Sequence, residues 1–390
     1  MHLNFDVIIG GAGISGLLIA SELSKTNKVL VIEAQSKSFL SKYWVTMESC
    51  AKTNSELAHL VDTKFHEMEF SDAYRNTYYL KGGYVLWKGD ELIDFLKQEI
   101  IKNNGEIKYN HSFCGYNNKR DYLNIFANEF SFSTKLFIDC MGYKSPLILS
   151  KNLIRFRGYY ALYGAKLDLL KPIRPICLSN IVLNNSPKYF EVFPTSGNQA
   201  YATMIYPTQT APNLNELQTE FKYVISKSIY SHYFNQKNVI SKLWGIVPVG
   251  TIKRTAMDNM FFFGESAQSN PAATGTCLTR LLDNYKKIAA FLNESLKSNC
   301  LSENDLSKAP LVLNSFTRNL QLYSFQEILS WNSDKYSKFI KLINQVDHGL
   351  INKFLFGELN YGDVFQRKYL IEIIKRRDLS LFKLLVKAIK

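Results

Sequence analysis

The sequence is poor in the features that would announce its class directly. Nowhere do about 20 apolar residues run together, so no segment is expected to cross a bilayer. The six cysteines, at positions 50, 114, 140, 177, 277 and 300, contain no Cys-x-x-Cys and no metal-like spacing. They read as scattered reduced thiols, which excludes a disulfide scaffold and a zinc module. The six histidines form no cluster, so no metal site is expected. Met1–Asp6 lacks a basic start, and glycines break the apolar stretch after it. The expectation is a cytoplasmic protein without a secretory leader. The net charge is +13, yet no zinc spacing, RRM-like strand pair or helix-turn-helix pattern accompanies it, so no nucleic-acid partner is expected. Internal repeats and low-complexity tracts are absent too.

What is present begins with size. A chain of 390 residues buries a substantial core and exceeds one small domain. Hydrophobic residues at 46% and charged residues at 21% are ordinary globular values. The 26 Phe and 23 Tyr imply either large apolar cavities or a core filled with rings. The positive excess gathers at the C-terminus. Gln366–Lys390 carries eight Lys/Arg against Glu372 and Asp378, interleaved with apolar residues such as Leu370, Ile373, Leu381 and Leu385. That pattern is a basic amphipathic helix, read either as a peripheral membrane contact or as the solvated face of a terminal packing helix.

Residues 5–9 (Phe-Asp-Val-Ile-Ile) suit a buried parallel strand. Gly10-Gly11-Ala12-Gly13-Ile14-Ser15-Gly16 follows, then a helical stretch to Lys25 and a second apolar strand, Lys28–Ile32, ending in Glu33 and Ala34. This βαβ unit carries Gly-x-Gly-x-x-Gly between strand and helix, with an acid 17 residues after Gly16. Each part has a physical task in holding a dinucleotide. Gly11 permits the tight turn, Gly13 lets backbone approach a pyrophosphate, and Gly16 allows close helix–strand packing. The helix start (Ile14, Ser15) offers N–H groups to phosphates, and Glu33 accepts from ribose hydroxyls.

Further on, 156–245 shows paired alternating runs. Tyr189–Phe193 and Ala200–Tyr206 flank the turn Thr195-Ser196-Gly197-Asn198, a hairpin signature. Nucleotide-domain texture returns at Met260–Glu265 and continues into a helix, Thr279–Leu296. The expected organisation is a first nucleotide-binding part at 1–155, an antiparallel β substrate domain at 156–245, a second nucleotide-binding part at 246–300 and a helical region at 301–390.

The late segment Phe262-Phe263-Gly264-Glu265-Ser266-Ala267-Gln268 resembles the G-D-A-A motif of flavoproteins with the glutathione-reductase type of FAD domain, with Glu265 in place of Asp. The resemblance implies that this acid contacts the ribityl chain of FAD. It also implies that Asn270-Pro271-Ala272-Ala273-Thr274-Gly275 lies beneath the flavin ring, with Pro271, Thr274 and Gly275 in contact. Asp139-Cys140-Met141-Gly142-Tyr143-Lys144-Ser145 resembles the D-A-x-G-x-x-S strand end of the same group, which places Asp139 and Gly142 by the cofactor. Tyr84–Lys88 resembles the strand whose last residue lies near the FAD phosphates; Lys88 supplies that charge or is a solvated surface lysine.

The chain also resembles the lycopene cyclase family, which shares this fold with geranylgeranyl reductases, flavin halogenases and aromatic hydroxylases. Leu243-Trp244-Gly245-Ile246-Val247-Pro248-Val249-Gly250 stands where cyclases carry E-E-G-V-I-P-M-G, and Gly264–Thr279 resembles their G-D-A-G…H-P-x-T-G-Y-S. The paired glutamates are replaced by Leu243 and Trp244, and the acids of F-L-E-E-T by the apolar Ala202–Tyr206. Carbocation cyclisation needs an acid and a steering negative charge, so the resemblance implies redox chemistry instead. The expectation is an FAD-dependent monooxygenase or reductase acting on an apolar polyene, isoprenoid or aromatic substrate. Electrons come from NAD(P)H or a separate flavin reductase, since no second dinucleotide fingerprint exists. Phe190, Phe193, Tyr201, Tyr206 and Trp244 are candidate substrate-wall residues. Trp244 and Cys50 are the catalytic candidates, Cys50 matching the loop cysteine of geranylgeranyl reductases or serving as a small core residue. The alternatives are a non-redox cyclase or isomerase, a halogenase (Trp244 and Pro248 match part of Trp-x-Trp-x-Ile-Pro, with Lys42 and Lys52 as lysines) and a non-catalytic FAD- or lipid-binding protein.

Overall fold

The computed structural model describes residues 4–36, 42–180, 188–210 and 213–364. The basic segment Gln366–Lys390, and with it the expected amphipathic helix, lies outside the described residues. Two eight-stranded sheets organise the fold. The first contains β1 (Phe5–Gly10), β2 (Val29–Ile32), β6 (Glu106–Lys108), β7 (Phe113–Asn118), β8 (Leu123–Ala127), β9 (Phe130–Asp139), β15 (Ala256–Met257) and β16 (Met260–Phe262). Its central order is β15-β16-β9-β1-β2-β6. The apolar run Phe5–Gly10 is central because both its edges are paired in parallel, Val7 with Val29 and Ile8 with Phe137. Such strands need cover on both faces. Helices α1 (Ile14–Leu23), α2 (Gly89–Lys102) and, after the second sheet's own helix α3 (Leu214–Lys227), α4 (Cys277–Lys297) cover one face through Leu17, Leu96 and Leu281. On the other, Phe113, Leu123 and Ile125 of the β7–β8 hairpin pack on Ile8, Leu30 and Phe137.

The second sheet contains β3 (Trp44–Met47), β4 (Val61–Ser71), β5 (Thr77–Trp87), β10 (Ile154–Leu169), β11 (Ile176–Asn180), β12 (Tyr189–Pro194), β13 (Gln199–Thr208) and β14 (Phe234–Ile252). Their order is β14-β10-β13-β12-β11-β4-β5-β3. The expected boundaries of the substrate domain are therefore corrected. Three of its strands come from residues 44–87, inside the segment assigned to the first nucleotide-binding part, and β14 runs beyond 245. The physical reason is the parallel pairing of β4 with β11, Glu69 opposite Ile176, which adds the long β4–β5 hairpin to the sheet. It aligns Phe65, Met68, Phe70 and Leu80 with Phe193 and Tyr201 in one core. The helical region is not separate either: Tyr336, Ile340 and Leu355 belong to that same core.

The hairpin read from Tyr189–Phe193 and Ala200–Tyr206 is present, with Val192 opposite Ala202 and Phe190 opposite Met204. Strand alternation then sorts its residues. Phe190, Val192, Ala202 and Met204 pack on Leu217 and Phe221 of α3, whereas Phe193, Tyr201 and Ile205 belong to the cores of the opposite face.

Lys188, just before β12, is only 2% exposed. Its ammonium donates to Glu220 at 2.6 Å and Glu216 at 3.0 Å and lies over the Tyr206 ring. Burial alone would lower its pKa, but the two carboxylates win and raise it. Lys188→Ala leaves Glu220 buried without its cation, so a loss of about 3–5 kcal/mol is expected in urea melts. Lys188→Met combined with Glu220→Leu should recover most of that loss; a single variant melting like the parent would contradict the assignment.

Candidate functional site

Beyond β1, the backbone turns at Gly11, whose φ is +97°. A Cβ there would stand 2.5 Å from the Cys140 carbonyl oxygen, and one at Gly16 would stand 2.0 Å from the Gly11 oxygen. Both glycines therefore let backbone meet backbone. Gly13 differs, since a Cβ on it would meet nothing within 4 Å. It opens onto free space at the start of α1, an end with no side-chain cap and no acid in its first turn. The amides of Ile14, Ser15 and Gly16 thus leave an electropositive helix end available to an anion. Glu33, at the end of β2, accepts from the Ala12 amide at 2.8 Å and the Gln35 amide at 2.9 Å, one on each carboxylate oxygen. Each oxygen keeps lone-pair capacity for a further donor. Ala34 beside it is exposed.

The second glycine loop meets the first in space. Gly264 has φ +70°, and a Cβ on it would stand 2.2 Å from Ser15 Oγ. Glu265 follows. Burial pushes its carboxyl up to about 7, against the pull of the Lys42 charge. Both polar atoms of the Asn270 side chain, and Gln268 Oε1, are buried and make no hydrogen bond among the described residues. Thr274 and Gly275 carry the loop to α4, whose start likewise has no side-chain cap and no acid. The Thr274 hydroxyl donates to the Leu355 carbonyl at 2.7 Å. Gly275 has φ +70°, with Tyr160 and Val247 of the second sheet 3.8 and 3.9 Å from its Cβ position. Pro271 is buried against Gly357.

Two expected cofactor contacts change role. Asp139 is fully buried, and its carboxylate accepts from Ser145 Oγ at 2.5 Å, Ser266 Oγ at 2.8 Å and the Met141 amide at 3.0 Å. It joins the loops rather than facing a ligand. Gly142, with φ +76°, donates its amide to Ser266 Oγ and borders the Glu265 carboxylate. The Lys88 ammonium pairs with Glu91 one turn into α2, which matches the surface-lysine reading.

The catalytic candidates are corrected as well. Cys50 is fully buried with its sulfur against Thr279 and Asp283 of α4, and burial drives its thiol far up. It is a core residue. Trp244 is 47% exposed and sits opposite Tyr163, which packs on Phe221 of α3. Trp244 therefore lies on the face turned away from the glycine loops. Phe190 and Tyr206 share that face, which leaves Phe193 and Tyr201 of the five wall candidates. An odd spacing along a strand puts two residues on opposite sides, and 190/193 and 201/206 are such pairs.

Sequence reasoning missed Glu191 and Tyr43. Glu191 lies between Tyr189 and Phe193 on β12 and shares their parity, so it points to the glycine-loop face. Tyr43 stacks on Tyr201 with ring centroids 4.8 Å apart. Its hydroxyl lies within donating distance of Thr203 Oγ1 (2.9 Å) and Glu191 Oε2 (3.2 Å). The available signal was an acid at an inward strand position, a place where acids are rare unless partnered.

The donor set fits FAD. An uncapped helix end beside an open Gly13 suits a pyrophosphate, Glu33 suits ribose hydroxyls, and the unpartnered Asn270 amide suits a polar ring edge. Comparison with solved structures places the fold among flavoproteins. A geranylgeranyl bacteriochlorophyll reductase-like protein from Thermoplasma acidophilum superposes with TM-score 0.71 at 14% identity, covering 96% of this chain and 99% of that one. The p-nitrophenol 4-monooxygenase of Pseudomonas putida gives 0.66 at 14% identity, covering 99% of each. A halogenase in complex with phloroglucinol and FAD gives 0.66 at 15% identity, covering 98% of this chain and 96% of that one. No family model matches the chain, and no curated protein sequence matches it. The expected mixed α/β fold of the flavoprotein type is thereby established.

Glu265 yields a pH prediction. Its folded pKa, about 7, stands above the ordinary glutamate value of 4.5, so the folded state holds the extra proton. Stability from this group is complete below about pH 4.5 and is lost as pH rises through 7. Glu265→Gln should therefore gain on the parent progressively between pH 5 and 8 in parallel melts of flavin-free protein. A difference independent of pH would contradict this.

Proposed function

We propose that this chain is an FAD-dependent oxidoreductase of the monooxygenase or reductase type, acting on a largely apolar small molecule. The observation that carries the reading is the contact between two glycine loops from opposite ends of the sequence, Gly264 against Ser15, beside the open Gly13 and the uncapped start of α1. When bound, FAD supplies a ring that passes a hydride or activates oxygen. The chain's own residues bind and orient it. The α1 amides and the Gly11–Gly13 backbone take the phosphates, Glu33 the adenosine ribose, and Glu265 the middle of the cofactor. The backbone of Pro271–Gly275 supports the ring. On the opposite wall, Tyr43, Phe193 and Tyr201 exclude water from the substrate.

The halogenase reading is weakened, because Trp244 faces α3 and the Lys52 ammonium is drawn to Glu48 at 3.0 Å. The membrane contact rests on the C-terminal segment alone; no helix of the described residues is long and apolar enough to cross a membrane. Electrons would come from NAD(P)H binding transiently or from a separate flavin reductase.

Gly13→Val tests the reading. Nothing surrounds that Cβ position, so flavin-free variant and parent should melt within about 0.5 kcal/mol of each other. The same side chain blocks the pyrophosphate, so FAD affinity should fall at least tenfold by fluorescence titration. Unchanged affinity would overturn the proposed placement.

A further inference from the structure

The face of the second sheet turned to the glycine loops is mainly aromatic and aliphatic, with Thr203 and Lys166 as polar members alongside Glu191. Tyr189, Phe193, Tyr201 and Ile205 are buried there, and Glu191 stands among them. A carboxyl in such surroundings is costly unless it serves a partner. Its partner is the Tyr43 hydroxyl, which lies 3.2 Å from Oε2 and also reaches Thr203. The residue is half-buried and keeps part of its surface accessible.

We propose that Glu191, positioned by Tyr43 and Thr203, is the polar anchor of the substrate site and donates a hydrogen bond to a carbonyl oxygen of an otherwise apolar molecule. The inference rests on the flavoenzyme reading and narrows it: the substrate carries an oxygen function, which excludes a pure hydrocarbon polyene. To donate, the carboxyl must be neutral. Burial holds it so, pushing its pKa up to about 8 while the Tyr43 hydroxyl pulls weakly the other way. The titratable groups facing it are Tyr43, Cys177 of β11, Tyr189 of its own strand and Tyr336 of the helix Ser333–Lys341. All four are driven well above their ordinary values, first by burial. Below them in pH, Glu191 is the member of the group that titrates; the ammonium on this face, that of Lys166, lies over the Tyr201 ring.

The test uses the flavin-loaded chain and two probes of equal shape, 1-tetralone (a carbonyl) and tetralin (none), by isothermal titration calorimetry from pH 6 to 9.5. The expected result is at least tenfold tighter binding of tetralone at pH 6, declining through pH 8, with tetralin flat. Glu191→Gln keeps an N–H donor and should retain the preference without its pH dependence. Glu191→Leu should abolish the preference while binding tetralin at least as well, which separates an anchor from a merely structural acid. Tyr43→Phe should weaken tetralone selectively. Equal binding of the probes at every pH, a preference surviving in Glu191→Leu, or no binding of either probe would overturn the proposal. Flavin content is measured on the same samples. A loaded protein without the preference refutes the anchor alone, and a chain that takes up no FAD refutes the flavoenzyme reading independently.

Discussion

Asp139 ends β9 without exposed surface, and its carboxylate collects the Ser145 and Ser266 hydroxyls and the Met141 amide. Burial raises it to about 6 despite those three donors, so near neutral pH it is mainly charged and each donor is bound tightly. Met141 and Ser145 lie in the turn that follows β9, and Ser266 in the late glycine loop. One carbonyl further along, Cys140 fits under Gly11 where a Cβ could not, and Ser266 carries Gly264 onto Ser15. The distance between the two glycine loops is thus set by one carboxylate and by three positions that tolerate no side chain.

The second sheet obeys a different constraint. Its strands bury both faces, one under α3 and the other toward the glycine loops and the C-terminal helices. Period-two alternation then decides which aromatic residues face the glycine loops and which pack under α3, and residue type does not enter. Glu191 is conspicuous because it stands among Tyr189, Phe193, Tyr201 and Ile205 on the face turned to the glycine loops.

Much of the first sheet was legible in the sequence, because Phe5–Gly10, Val29–Ile32 and the glycines between them obey local rules of turn, helix start and buried strand. The late Gly264–Gly275 loop was legible through its likeness to a known motif. What escaped was non-local. The assignment of residues 44–87 to the second sheet depends on pairing with strands a hundred residues away. The role of Asp139 depends on Ser266, and the burial of Cys50 depends on α4. The faces of Phe190, Tyr206 and Trp244 were recoverable from parity alone, and so was the inward place of Glu191.

The central claim is that both loops hold one extended dinucleotide, with Glu33 and α1 gripping the adenosine half. Equilibrium binding of FAD and FMN to the flavin-free chain tests it most directly, since the two share a ring and differ by the adenylate. The account predicts that FAD binds at least a hundredfold more tightly than FMN. Equal affinities, or binding of neither, would contradict it.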